Sequence, residues 1–328
     1  MLRFFIALCA LLLAAPAALA QQTHSTGSGQ AYPQKPIRYI VPFPAGGIAD
    51  VFARIIGGRI AEAWGQPVVV ENRAGAGGNI GAELVAKSAP DGYTILMGSI
   101  GTQAVNASLY RNMPYDSAKD FTAVALVIEA ESLLALHPSV AAGTPADLIA
   151  LARAQPGKLT CASAGVGTTS HLACELFKSM ARVDITHVPY KGNVPAITDL
   201  LGGQTSMLFA TMPTVLPHVK AGKLKGIAVL GTGRSPAAPE IPALAEALPG
   251  FEVNNWVGTF GPAGMPAAIA AKLNSEILAV MRTPDVQQRL LTEGARFTPM
   301  TPSQFSAFVA AETAKWGKLI REIGIRAD

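Results

Sequence analysis

Thr168, Thr169 and Ser170 stand in a row behind the glycines of Gly165-Val166-Gly167 and ahead of the segment His171–Phe177. The run Leu159–Ser163 before them has the make-up of a short strand. Hydroxyls at a helix start, after a glycine turn, can cap backbone N–H groups or donate to an anion. A second stretch repeats the plan without hydroxyls. Ile37–Val41 is β-rich, Pro42-Phe43-Pro44-Ala45-Gly46-Gly47 is a Pro/Gly loop, and the segment after it places Val51, Ile55, Ile56 and Ile60 on one helical face. A helix N-terminus presents unpaired N–H groups and a partial positive charge, and glycines let a ligand approach them. Neither loop contains a Lys or Arg. The chemistry favoured is capture of an anion by neutral donors.

Other reactive side chains fit this plan less directly. Asp50 falls in a first helical turn, where it can cap an N–H or meet ligand or water. Lys191, in Tyr190-Lys191-Gly192, follows a predicted strand, where α/β sheets place ligands; as a surface cation it would simply be solvated. His171 is expected to pack or cap. No G-x-S-x-G elbow and no evident Asp partner accompany it, so hydrolysis is poorly supported. Cys161 and Cys174 can pack as thiols or form a disulfide, and they lack the companions of a metal site. The run Gly75–Gly81 misses the dinucleotide spacing by one residue and has no acid at the expected place. No cofactor and no metal are expected. Trp256 is read as core or hinge packing, or as the wall of a pocket for an aromatic ligand.

These loops require strands and helices to hold them. Predicted strands at 37–41, 68–71, 94–98 and 121–127, with helices at 48–64 and 79–88, open the chain. Strands at 133–137, 159–163, 185–188, 206–210 and 225–230 then alternate with helices at 145–154, 168–181, 193–202 and 213–221. This alternation predicts doubly wound, parallel α/β sheets. With 15% charged and 50% apolar residues, the composition suits strands covered on both faces. The segment 251–260 is extended, and helices at about 266–281, 284–292 and 302–322 close the chain. Breaks near 128–132 and 248–254 predict two chain crossings. Domain 1 then comprises 31–128 plus 251–328, and domain 2 comprises 129–250, with a two-strand hinge between them.

Met1-Leu2-Arg3, the apolar run Phe4–Ala15 and Ala18-Leu19-Ala20 form a signal peptide over residues 1–20, with a polar leader at 21–30. The protein is therefore expected to be exported and periplasmic. A net charge of +4 without a basic run argues against nucleic acid or a lipid surface.

The chain resembles the Bug family of periplasmic solute receptors, the extracytoplasmic component of tripartite tricarboxylate transporters. The resemblance rests on the Val41–Asp50 loop, Val70-Glu71-Asn72-Arg73-Ala74-Gly75-Ala76-Gly77-Gly78-Asn79, Pro90-Asp91-Gly92-Tyr93-Thr94, His187-Val188-Pro189-Tyr190-Lys191-Gly192, Asp199–Gln204 and Leu216–Leu224. It implies a type II periplasmic-binding fold without catalysis. The ligand is then a small carboxylate held in an interdomain cleft, and the partners are integral-membrane transporter subunits. Carried onto this chain, the ligand residues are Phe43, Pro44, Ala45, Gly46, Gly47 and Asp50, then Gly165, Gly167, Thr168, Thr169 and Ser170. Family members often place a small hydroxyl residue where this chain has Ile48-Ala49. Many also carry Asp where it has Ala210, which disfavours a ligand bearing an amino group. A monomer is expected. The alternatives are a sensing subunit that docks on a membrane sensor kinase and, behind it, an exported hydrolase.

Overall fold

The computed structural model describes residues 32–190, 192–292 and 294–327. The expected signal peptide, the leader and Lys191 lie outside the described residues.

The first lobe begins β1 (Ile37–Val41), α1 (Ile48–Trp64), β2 (Val68–Asn72), α2 (Asn79–Ala86) and β3 (Thr94–Ser99). A π-helical turn at Gly101–Val105 leads into α3 (Asn106–Leu109), and β4 (Phe121–Ala130) follows. The second lobe runs β5 (Ser132–Leu136), α4 (Pro145–Ala154), β6 (Thr160–Ser163), α5 (Thr169–Ala181), β7 (Thr186–Pro189), α6 (Asn193–Leu201), β8 (Met207–Thr211), α7 (Met212–Lys220) and β9 (Lys225–Val229). The chain returns through β10 (Asn255–Pro262), α8 (Ala267–Met281), α9 (Pro284–Thr292), β11 (Ala295–Arg296) and α10 (Pro302–Ile323).

Two sheets result. The first has the order β11-β4-β10-β3-β1-β2 and the second β7-β6-β8-β5-β9. β1, β2 and β3 pair in parallel, as do β6, β7 and β8. The parallel strands follow from βα alternation. Among the described residues, β11 pairs antiparallel with β4 at the edge of the first sheet, and each sheet also takes in an antiparallel strand at a crossing. β10 enters between β3 and β4, and β5 enters between β8 and β9.

Helices cover both faces, so strand residues are buried on alternate sides. In β5, Leu133 and Ala135 face the α6–α7 layer with Leu200 and Val215, while Leu134 and Leu136 face Leu148 and Phe177 of α4 and α5. In the first lobe Phe52 and Ile56 of α1 pack with Leu273 and Ile277 of α8. Helix starts are set by local chemistry. Thr144 forms a capping box with Asp147, and Pro145 occupies the first turn of α4.

The crossings lie side by side. Asn255 pairs with Ala130, Leu230 N–H donates to Ser132 O at 2.9 Å, and Val253 N–H donates to Leu230 O at 2.9 Å. Buried Glu129 accepts both Nε and Nη2 of Arg296 at 3.2 and 3.0 Å, and the Thr298 hydroxyl at 2.7 Å. Such a bidentate, hydrogen-bonded pair fixes geometry as well as charge. Trp256 is fully buried among Phe260, Phe305 and Phe308, so it belongs to the core. Cys161 and Cys174 are free, buried thiols.

Candidate functional site

β6 ends at Ser163, the chain turns through Gly165 and Gly167, and α5 begins at Thr169. Gly165 and Gly167 have φ of +138° and +76°, conformations that L side chains rarely adopt. The turn is tied from within. Thr168 is the N-cap; its hydroxyl donates to Gly165 O at 2.7 Å and accepts the His171 N–H at 3.4 Å. The Ser170 hydroxyl accepts the Ala164 N–H at 2.9 Å and lies 2.9 Å from that of Thr168. Among the described residues, the Thr169 hydroxyl makes no hydrogen bond.

A cavity of about 210 Å³ opens against this turn. Thr168, Thr169 and Ser170 line one side, and Asn193 stands beside them at the first residue of α6. Phe209, Ala210 and Thr211 contribute the end of β8, and Thr211 is also the N-cap of α7. The N-termini of α5, α6 and α7 therefore converge on one space. Ser132, Leu230, Val253 and Asn255, from the crossings, complete it. No charged side chain lines the cavity among the described residues. Backbone donors, helix dipoles, hydroxyls and amides supply positive potential without a cation, and alanine, leucine and valine surfaces offer an apolar wall.

The structure thus brings Thr168, Thr169, Ser170 and Ala210 together on one cavity. Gly165 and Gly167 shape the turn without lining it. The first loop stands apart from this cavity. Pro44, Ala45, Gly46 and Gly47 are exposed, and Phe43 is half-buried against Gly78. Asp50 ties that loop to its flanking elements. It accepts the Gly46 N–H at 2.9 Å, Arg54 Nε at 3.0 Å and Asn72 Nδ2 at 2.9 Å. Asn72 Nδ2 also donates to Phe43 O at 3.1 Å. Hydrogen bonds from Arg54 above all, with those of Gly46 and Asn72, hold its carboxyl down at about 2. Asp50 therefore braces the loop, and the Gly46 N–H is already occupied. The Arg54 spacing, one helical turn on, was the readable signal for this.

Residue-level reading of the sequence missed Asn193, Thr211, Ser132 and Asn255. Asn193 begins a helix after a strand and a glycine, so the same pattern could have found it. Ser132 and Asn255 come from crossing strands and carry no local signal.

His171 and Ser170 are neighbours without being a nucleophile and its base. His171 Nδ1 accepts the Gly167 N–H at 3.0 Å. A closer pairing, Ser163 Oγ to His187 Nε2 at 2.6 Å, involves a serine with no exposed surface.

The chain is similar to proteins of known family and known structure. Residues 52–325 match the family described as "Tripartite tricarboxylate transporter family receptor". Protein BugT of Bordetella pertussis is 38% identical over 301 residues, covering 91% of this chain and 92% of BugT. The solved structure of Rpa4515 from R. palustris with adipate is 37% identical, with a TM-score of 0.77, covering 90% of this chain and 99% of that one. MatC from Rhodopseudomonas palustris with bound malate is 33% identical, with a TM-score of 0.73, covering 88% and 100%. These likenesses carry the two-lobed type II periplasmic-binding fold.

Proposed function

The chain belongs to the family of tripartite tricarboxylate transporter receptors, and from that premise we propose that it captures a small carboxylate between its lobes, unchanged, and presents the closed complex to membrane transporter subunits. The observation that carries this reading is the convergence of three helix N-termini and the Thr168–Ser170 hydroxyls on one cavity whose described lining is uncharged. The relatives with adipate and malate support a carboxylate as the bound group. Export to the periplasm, a monomeric state and the division into 31–128 with 251–328 against 129–250 belong to the same proposal. So does a second set of donors from the first loop, at Ala45 and Gly47, meeting the ligand as the lobes close. The inward hydrogen bonding of Ser163 and His171 favours binding over hydrolysis.

The test begins with thermal-shift screening of mono- and dicarboxylates. A true ligand at 100 times its Kd stabilises the fold by about 2.7 kcal/mol. Calorimetry with the best probe then compares Thr169→Val and Gly46→Val with the parent. A hydrogen bond to a charged group contributes about 1.5–3 kcal/mol, so Thr169→Val should weaken binding roughly 10- to 100-fold. Gly46→Val, at φ +86°, should weaken it further by blocking the first-loop amides. Parent-like affinity in both variants would sink the neutral-donor reading.

A further inference from the structure

The Gly165–Ser170 turn rests on two stacked imidazoles. The His171 ring, in the first turn of α5, lies 3.9 Å from the His187 ring of β7, centroid to centroid, with 15° between their planes. His171 is buried, and its Nδ1 accepts the Gly167 N–H at 3.0 Å. An acceptor Nδ1 requires a neutral ring with its proton on Nε2. That Nε2 faces Glu175 Oε1 at 3.9 Å, and Glu175 is in turn paired with Lys178 at 2.8 Å. Burial, with the charges of His187 and Lys178, pushes His171 down to about 4, so the ring is neutral at pH 7. His187 braces the other glycine indirectly. Its Nε2 meets Ser163 Oγ, which accepts the Gly165 N–H and donates to Gly165 O, both at 3.2 Å.

We propose that His171 is a positioning residue for the anion-holding loop. Its neutral imidazole, clamped against His187, pins the Gly167 N–H inward and so fixes the turn that aims Thr168, Thr169 and Ser170 at the cavity. The proposal rests on the carboxylate reading for its link to affinity, and on the Gly167 hydrogen bond for its geometry. It asks for an acceptor at one point in space. An asparagine carries its carbonyl Oδ1 on Cγ, where the imidazole carries Nδ1, and Asp147 reaches the Gly143 N–H from the equivalent position of α4 at 3.2 Å; a phenylalanine keeps the ring's bulk and stacking but accepts nothing.

The experiment compares His171→Phe and His171→Asn with the parent in two measurements. The first needs no ligand: hydrogen exchange of the Gly167 amide, resolved by NMR. Loss of one hydrogen bond should speed exchange about tenfold in His171→Phe, while His171→Asn stays within about threefold of the parent. The second is calorimetry with the tightest-binding member of a panel of adipate, malate, succinate and benzoate. His171→Phe should bind about tenfold more weakly, and His171→Asn should recover most of that loss. Thermal melting establishes that both variants fold. Parent-like protection of the Gly167 amide in His171→Phe would overturn the proposal. So would equal loss of affinity in both variants with the amide still protected in His171→Asn. A parent that binds no member of the panel would count against the carboxylate reading, while the exchange measurement still decides the role of His171.

Discussion

At the scale of single residues, Asp50 shows how one buried carboxylate can brace a Pro/Gly loop. Its carboxylate gathers Gly46, Arg54 and Asn72, and Asn72 reaches on to Phe43, so one side chain ties the Pro/Gly loop to both α1 and β2. Asp50→Asn keeps the shape but turns an acceptor atom into a donor facing donors. We expect a loss of about 2 kcal/mol at pH 7, measured by urea unfolding. The pH dependence has a definite sign. The folded carboxyl is held at about 2, below its ordinary 3.8, so its contribution is complete above about pH 4 and disappears as pH falls toward 2. The gap between parent and Asp50→Asn should therefore close over that interval. A gap that stayed constant from pH 6 to pH 3 would show that shape, and not charge, is responsible.

At the scale of elements, the helix starts at Ile48 and Thr169 are legible because turn residues and apolar periodicity agree there. The parallel core is legible because strands covered on both faces form short apolar runs between helical patterns. The antiparallel entry of β10 between β3 and β4 is not, because it depends on pairing Asn255 with Ala130 and Phe260 with Ala123 across the whole intervening lobe. The two-residue β11 and the π-helical turn at Gly101–Val105 are too short to carry a period. For the same reason the cavity's helix-borne hydroxyls could be named in advance, whereas Asn255 and Ser132 could not. The long helix α10 is another element whose anchoring is visible only in three dimensions. Buried Glu312 accepts the indole N–H of Trp256 at 3.2 Å and of Trp316 at 3.0 Å, and pairs with Lys315. One carboxylate thus joins α10 to β10, the strand of the second crossing. Glu312→Leu leaves two buried N–H donors without an acceptor and should cost about 3 kcal/mol. Glu312→Gln, which keeps one acceptor, should cost about half as much. Urea unfolding of both variants checks the order; a Leu variant as stable as the Gln variant would mean that packing alone holds α10.

At the scale of the whole molecule, the two lobes meet where Gly167 lies flush against Leu109 of α3. A Cβ on Gly167 would stand 2.2 Å from Leu109 Cδ2, far inside contact distance. The meeting therefore joins the turn at the cavity to the first lobe, and a side chain at position 167 would have to displace Leu109. A ligand drives closure only by binding the closed form more tightly than the open one, so any cost placed on the closed form subtracts directly from affinity. Gly167→Ala adds one such cost, the clash with Leu109. It also adds backbone strain at φ +76°, about 1 kcal/mol, but that strain is present whether or not the lobes meet and does not itself oppose closure. Leu109→Ala separates them, since it removes the clash and leaves the strain. In solution scattering with saturating carboxylate probe, Gly167→Ala should keep a larger radius of gyration than the parent and bind more than tenfold more weakly. The double variant Gly167→Ala/Leu109→Ala should regain the compact form, and its affinity should recover in part. If the double variant stayed as open as Gly167→Ala alone, the Leu109 contact would not be what limits closure, and the loss would have to be assigned to the backbone of the turn itself.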